Sequence, residues 1–568
     1  MAKLGGWKSI CAVLVLCTAT AIGSRAQTYG TLHSFNSTDG SDPWGALVQG
    51  VDGNFYGTTR SGGSFNLGTV FKVSPGGILT TRHSFCAQTS CPDGSEAGAP
   101  LALGTDGNFY GTTTTGGANG YGTVFKITGT GALTTLYSFC AQANCTDGIG
   151  PEAGLVQGTD GNFYGTAAGG GVGGFGTVFK ITRAGALTTL YSFCPDGFSC
   201  TDGLGPVAGL VQGTDGNFYG TTTDGGAHFQ GGTVFKITPR GTLTTLYSFC
   251  ALASCADGYN PFKAALIQGT DGNFYGTTSS GGVHSSTGTI FKITPGGTLT
   301  TLYSFCAQTN CTDGIGPYTG LIQGTDGNFY GTTSSGGSNS FNGYGTVFKI
   351  TRTGTLATLY SFCPLGFSCT DGTSPYAGLV QGTNGTFYGT TSSGGAHDDG
   401  TVFSLAVGLG PFVETRPTSG KVGANVLILG TNLTGATSVT FNGTSATFTL
   451  VNSSEIKATV PAGATTGKVK VTTPTRTLSS NVAFRVTPQI TSFTPTTGPV
   501  GTPVTITGVS LTQTTKVSFG GVKATSFTVN SDTQVTATVP TGAKTGKIAI
   551  ATAGGMATSA TSFTVTTP

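Results

Sequence analysis

Five histidines are the first place to look for chemistry in this chain. His228, His284 and His397 each close a recurring Gly-Gly-x-His loop, and Asn119 and Asn339 fill the equivalent place in two further copies. Asp398 and Asp399 follow His397 and form a carboxylate pair found in that copy alone. A metal centre needs such side chains within a few ångströms of one ion, and loops of separate units rarely converge that closely. The set therefore reads as a polar loop surface able to hydrogen-bond a ligand, with no metal or cofactor implied. His33 and His83 stand where other copies carry Tyr, which makes them strand residues.

A second constellation is a row of aspartates before glycine: Asp39, Asp93, Asp147, Asp202, Asp257, Asp313 and Asp371. Repeated carboxylates could hold calcium or flank a cleaved sugar bond. Catalysis, however, needs one asymmetric pair in two environments, and equivalent Asp-Gly steps in every copy point to turns. Twelve cysteines fall into six close pairs at one repeat position. They are Cys86 with Cys91, Cys140 with Cys145, Cys194 with Cys200, Cys250 with Cys255, Cys306 with Cys311, and Cys363 with Cys369. Such pairing predicts disulfides and an oxidising compartment. Zinc is the rival, but the pairs have no partnering histidines. There is no Gly-x-Ser-x-Gly elbow, His-Glu-x-x-His, Walker loop or dinucleotide fingerprint.

The elements that carry these residues repeat. Asp-Gly-Asn-Phe-Tyr-Gly starts at Asp52, Asp106, Asp160, Asp215, Asp271 and Asp326, and a weaker copy starts at Asn384, with spacings of 54 to 58 residues. Each unit offers four short apolar or alternating runs separated by Gly- and Asp-rich turns. They are strands a (Leu-Val-Gln), b (Phe-Tyr-Gly-Thr-Thr), c (Thr-Val-Phe-Lys-Ile) and d (Leu-Thr-Thr-Leu-Tyr-Ser). Alternation with tight hairpins predicts antiparallel sheets and few helices. The last unit lacks a d run, and Gly30 to Phe35 supplies one at the front of the chain. The expectation is all-β: a seven-bladed β-propeller over residues 28–406, closed by the N-terminal strand. A β-helix or an open solenoid fits the strand count less well. On that topology the d–a and b–c loops share one face, which is the expected binding face. The strand aromatics are expected to pack the core.

The chain has 568 residues, 97 of them Gly, a formal net charge of +3 and only 9% charged residues. It has no basic block for nucleic acid or anionic lipid. Lys3 and Lys8, an apolar run from Ile10 to Ile22, and Ser24-Arg25-Ala26 read as a secretory signal over residues 1–26. A retained anchor would need a longer apolar run, and Leu16 before Cys17 is too bulky for a lipoprotein site. The expected location is secreted or cell-surface.

Beyond residue 406 the period ends. Pro417 to Gly423 and Pro495 to Gly501 open two copies of another unit, which end in Val-rich strands at Pro461 and Pro540 and beyond. Each copy has about seven short strands in roughly 80 residues, as expected for β-sandwiches over 411–488 and 489–568. The long repeat, with Gly-Thr-Asp-Gly-Asn-Phe-Tyr-Gly-Thr-Thr and Gly-Thr-Val-Phe-Lys-Ile-Thr, resembles the GloVer tandem repeat of exported bacterial proteins. The two C-terminal units resemble IPT/TIG immunoglobulin-like domains. The first resemblance implies export and no particular enzyme activity; the second implies a spacer or stalk. The chain is expected to be a non-catalytic extracellular binding or adhesion protein, with a polysaccharide or a surface protein as partner. A carbohydrate-active enzyme and a structural envelope component are the alternatives.

Overall fold

The computed structural model describes residues 27–567 apart from 229–230, 285 and 339–342. The secretory-signal reading of residues 1–26 and the candidate Asn339 lie outside the described residues.

Strand β1 (Thr28–Ser34) precedes the first full unit, which contains β2 (Val48–Gln49), β3 (Phe55–Thr59), β4 (Thr69–Val73) and β5 (Leu79–Ser84). These four pair antiparallel in the order β2-β3-β4-β5. Five further units repeat the pattern. The seventh unit contributes three strands, and β1 adds the fourth, running antiparallel to Thr401–Ala406 from Thr28↔Ala406 to Ser34↔Thr401. The Phe-Tyr-Gly-Thr-Thr strand is buried on both faces in every unit, and its glycine is required there. A Cβ on Gly57 would stand 2.5 Å from the Phe71 ring that crosses it.

The expected closed seven-bladed β-propeller is corrected by the sheet topology. The ladders form seven separate four-stranded sheets, six of them complete within one unit and the seventh completed by β1, and they are not closed into a propeller. The reason is physical. The outermost strand spends its hydrogen bonds on its own sheet, and the inner strand is two residues long. Neighbouring units are joined by side-chain contacts and by one loop-to-loop backbone hydrogen bond at each junction, such as Gly150 N–H to the Tyr121 carbonyl at 3.0 Å, which a count of strands cannot foresee. The architecture is an all-β, seven-repeat array followed by two small β-sheet domains.

Two contacts recur from unit to unit. The motif tyrosine of each repeat lies against the motif phenylalanine of the next, as in Tyr110–Phe163, Tyr164–Phe218 and Tyr219–Phe274, with ring centroids 3.9–4.0 Å apart. Tyr388 meets Phe55 in the same way, at 4.0 Å. The second contact is a glutamine clamp. The Gln157 side chain accepts a hydrogen bond from the Thr105 backbone N–H of the preceding repeat, and donates to Gly161 in its own turn. Gln212, Gln268, Gln323, Gln381 and Gln49 make the same inter-repeat bond at 2.9–3.1 Å.

The Asp-Gly-Asn turn supports these rings. The Tyr110 hydroxyl donates to the Asp106 carboxylate at 2.8 Å, and the Asn108 backbone N–H donates to the same group at 3.2 Å. In the weakened seventh copy Asn384 replaces the acid, and its amide donates to the Tyr388 oxygen at 2.8 Å. The second aspartate row is also structural. Asp147 accepts from the Tyr137 hydroxyl and the Ala141 N–H. His33 and His83 replace that tyrosine and reach Asp39 and Asp93 at 2.8 Å.

The expected disulfides are present at all six places. Cys86 is bonded to Cys91, Cys140 to Cys145, and Cys194 to Cys200. Cys250 is bonded to Cys255, Cys306 to Cys311, and Cys363 to Cys369. Their Cα atoms lie 4.0–4.7 Å apart. The loops they close are also held by the aspartate row, since Asp93 accepts from the Cys86 N–H and Asp202 from the Cys194 N–H. These cysteines are therefore part of the scaffold.

Each C-terminal domain consists of one four-stranded and one five-stranded sheet. In the first, Val426, Ile428 and Ile456 of one sheet share a core with Phe441, Val469 and Phe484 of the other. This domain docks where the clamp fails. Val51 and Leu103 replace the Thr–Gln pair between the first two repeats, and Leu429 of the domain joins the apolar cluster containing both. Polar bonds from Thr431 to Thr383 at 2.7 Å and from Arg485 to the Thr214 carbonyl at 2.9 Å extend the contact. No helix among the described residues is long and apolar enough to cross a membrane.

Two outcomes follow from these contacts. Phe218→Ala removes one inter-repeat ring and leaves a cavity, which should cost about 3–5 kcal/mol by chemical denaturation; a loss below about 1 kcal/mol would show that the stack is not holding the repeats. For Asp52, Asp106, Asp160 and Asp271, burial alone would raise the carboxyl pKa. Hydrogen bonds from the neighbouring asparagine and tyrosine, led at Asp52 by the Lys72 ammonium 2.7 Å away, outweigh it and hold each below the ordinary value. Their stabilisation is present above the usual carboxylate range and is lost as pH falls through the depressed values. The melting temperature should therefore be level near neutrality and fall below about pH 4; a level profile through the acid range contradicts this.

Candidate functional site

Each repeat enters its inner strand through a short segment that ends in leucine: Leu47, Leu101, Leu155, Leu210, Leu266, Leu321 and Leu379. Three residues earlier the copies carry Trp44, Gly98, Glu152, Val207, Lys263, Tyr318 and Tyr376. Several side-chain chemistries thus occupy one position of a repeat that is otherwise nearly uniform. Six of these seven residues, all except Tyr318, line a single cavity of about 350 Å³ at the entry ends of the inner strands. Tyr318 stands edge-on to Tyr376, with ring centroids 5.4 Å apart.

Local geometry explains why these side chains point inward. A residue of positive φ precedes the position and turns the chain. It is Asp42 at 58°, Glu96 at 58°, Gly150 at 60°, Gly205 at 64°, Asn260 at 55°, Gly316 at 64° and Ser374 at 53°. This left-handed region is uncommon for residues other than glycine, with Asn and Asp most tolerant of it. A buried threonine of the previous repeat then pins the backbone. Thr58 donates to the Ala99 carbonyl at 2.8 Å, Thr112 to Ala153 at 3.0 Å, Thr166 to Ala208 at 3.1 Å and Thr332 to Ala377 at 3.1 Å. The fifth repeat carries Phe262 as an extra residue between Pro261 and Lys263, and this ring meets Tyr318 edge-on at 5.9 Å.

The mouth of the cavity is aromatic and charged. Trp44 stacks on Tyr376 with centroids 5.0 Å apart and planes 28° apart. Lys263 Nζ lies 4.9 Å from the Trp44 ring centre and 3.3 Å from the Glu152 carboxylate, so one side chain of the fifth repeat bridges the first and the third. Arg60 Cζ is 5.3 Å from the same ring, and its guanidinium pairs with Glu96 at 3.3 Å. The Trp44 indole N–H donates to Asp42. Burial raises the Asp42 carboxyl above its ordinary value, opposed by the Trp44 hydrogen bond and by Arg60 and Lys263. Burial lowers the Lys263 ammonium, opposed mainly by Glu152. Below the mouth the walls are apolar, with Leu101, Leu155, Leu210 and Leu266 among them. An apolar concavity with a few convergent polar groups is the usual form of a ligand site.

The residues singled out in the loops lie elsewhere. His284 lines a shallow groove with Leu252 and Val283. Asn119 donates to the Phe139 carbonyl at 3.0 Å, Asp398 accepts from the Gly394 N–H at 2.8 Å, and Asp399 accepts from Ser41 at 2.6 Å and Ser37 at 3.1 Å. None of His228, His284, His397, Asn119, Asp398 or Asp399 lines the shared cavity. Among the described residues no three His, Cys, Asp or Glu side chains are grouped to hold a metal ion. The cavity residues are visible in the sequence only by aligning the seven copies column by column. Their one signal is that a single position changes chemistry in almost every copy.

The Gloeobacter/Verrucomicrobia repeat matches residues 18–199 and 196–403, and the IPT/TIG domain matches residues 413–486 and 488–565. No curated protein matches the chain. Among solved structures, a surface glycan-binding protein from Prevotella bryantii is 18% identical over 27% of this chain and 38% of its own, with a TM-score of 0.21. SGBP-B from a complex xyloglucan utilization locus in Bacteroides uniformis is 26% identical over 27% of this chain and 48% of its own, with a TM-score of 0.14. The chain thus spans less than half the length of either protein. A fungal alcohol oxidase in complex with copper is 12% identical over 81% of this chain and 98% of its own, with a TM-score of 0.42. At such TM-scores these likenesses decide nothing about what this chain binds. The repeat match covers more than half of the residues, so the chain belongs to the Gloeobacter/Verrucomicrobia repeat family, with two IPT/TIG domains following the repeats.

Proposed function

We propose that this chain is an extracellular or cell-surface binding protein that takes a glycan at the mouth of the seven-repeat cavity, without catalysis. One observation carries the reading. One position at which the repeats differ in chemistry gathers Trp44, Tyr376, Glu152 and Lys263 around one concavity. The apolar faces of sugar rings pack on aromatic rings, and their hydroxyls take hydrogen bonds from carboxylates and ammonium groups. Aromatic anchors with a few placed polar groups concentrate binding energy in this way.

Two further features support it. Six disulfides suit an oxidising exterior. The first IPT/TIG domain contacts Thr214 and Thr383, in the turns that follow the inner strands, whereas the cavity lies at the strand entries. The C-terminal domains therefore leave the mouth uncovered and serve as its support.

The test uses Trp44 itself. The sequence has two tryptophans, Trp7 and Trp44, so a chain starting at residue 27 reports on the cavity alone. Hits from a glycan array should change its emission on titration. Trp44→Ala, followed on the array, and Tyr376→Ala, followed by emission, should weaken binding by about tenfold or more. His397→Ala should leave affinity unchanged. Loss of binding in His397→Ala with retention in Trp44→Ala would move the site to the loops, and glycan cleavage during the titration would replace binding with catalysis.

A further inference from the structure

We propose that the cavity selects neutral glycans and rejects acidic ones, with Asp42 and the Glu152–Lys263 pair as the discriminating groups. The inference rests on the glycan reading just given and names the ligand class of that site.

Glu152 and Lys263 line the cavity, and Asp42, Arg60 and Glu96 are linked to it through the Trp44 ring, so that three carboxylates face two cations. Both cations are already engaged. Lys263 Nζ holds Glu152 at 3.3 Å, and Arg60 holds Glu96 at 3.3 Å. The remaining carboxylate, Asp42, takes the Trp44 indole N–H. An ionised carboxylate can accept several further hydrogen bonds, and a sugar hydroxyl placed against the Trp44–Tyr376 stack is the matching donor. The carboxylate of a uronate, or a sulfate group, has no proton to donate there. It would bring a second negative charge beside Asp42 in a site partly removed from water, where like charges repel most strongly.

Lys263 cannot serve as the anion receptor without leaving Glu152 unpaired. A carboxylate stripped of its partner in a half-buried position is costly. The ammonium is also held over the Trp44 and Phe262 rings, at 4.9 and 5.8 Å from their centres. An acidic ligand would have to break the ion pair and the cation–π contact together. A neutral ligand leaves both in place and adds hydrogen bonds to the oxygens that remain free.

Matched oligosaccharide pairs test this: galactan and galacturonan, mannan and mannuronan, glucan and glucuronan oligomers, on an array and then by titration against the wild-type chain. The neutral member of at least one pair should bind at least tenfold more tightly than its uronate. Asp42→Asn removes the repelling charge, in a residue type that also tolerates the left-handed backbone there. Glu152→Gln releases Lys263. Each variant should narrow the neutral-to-uronate ratio at least fivefold, with unchanged circular dichroism and thermal melting confirming the fold. A wild-type preference for any uronate over its neutral partner, or a ratio unmoved in both variants, overturns the inference while leaving glycan binding intact. Binding of neither member of any pair overturns the glycan reading and this inference with it.

Discussion

A tyrosine ring laid on the phenylalanine of the next repeat is the contact on which the array depends. The repeats share no strand ladder, so nothing in the backbone hydrogen bonding of the strands holds one sheet to another. The stack does, at 3.9–4.2 Å between centroids from Tyr56–Phe109 through Tyr388–Phe55. Aromatic pairs contribute about 0.5–1.5 kcal/mol beyond the area they bury. The Asp-Gly-Asn turn fixes each tyrosine by its hydroxyl, and the glutamine clamp fixes the backbone beside it. The most regular motif in the sequence is thus the fastening between units.

Regularity also makes the exceptions informative. The clamp is missing once, where Val51 faces Leu103, and the apolar junction left behind is where Leu429 of the first IPT/TIG domain packs. Two apolar side chains left open to water at that junction would be costly. Covering that junction with an apolar side chain from a following domain is the matching solution. The position of the domain is therefore written in a two-residue departure from the repeat.

Much of this was legible in the sequence. The period set the number of units, and Gly30 to Phe35 matched the missing outer strand, which does pair with Thr401–Ala406. The cysteine spacing led to the six disulfides, from Cys86 with Cys91 through Cys363 with Cys369. Closure of the sheets into a propeller did not follow, because strand matching predicts partners within a sheet and says nothing of how sheets meet. The cavity residues were hidden for another reason. Trp44, Glu152, Lys263 and Tyr376 lie far apart in the chain, and each alone is an ordinary residue in a turn. The histidines and acids of the loops have types that advertise chemistry, yet Asp398 and Asp399 take hydrogen bonds from Gly394, Ser37 and Ser41.

The freedom of the cavity position has a structural cause. In a close-packed interior a residue is constrained by the volume its neighbours leave it. Here the backbone is set by others: a left-handed residue turns the chain just before it, and a threonine hydroxyl of the preceding repeat holds a carbonyl next to it, as Thr112 does for Ala153. Gly98, Val207 and Trp44 can therefore occupy the same place without altering the path of the chain. A scaffold that fixes the Cα and leaves the side chain unconstrained allows six independent substitutions to compose one surface. The consequence is that specificity in this architecture resides in a combination of single residues from distant repeats. Exchanging the segment Asp42 to Ala46 for its counterpart in another repeat changes the ligand surface while the stacks and clamps that hold the fold remain untouched.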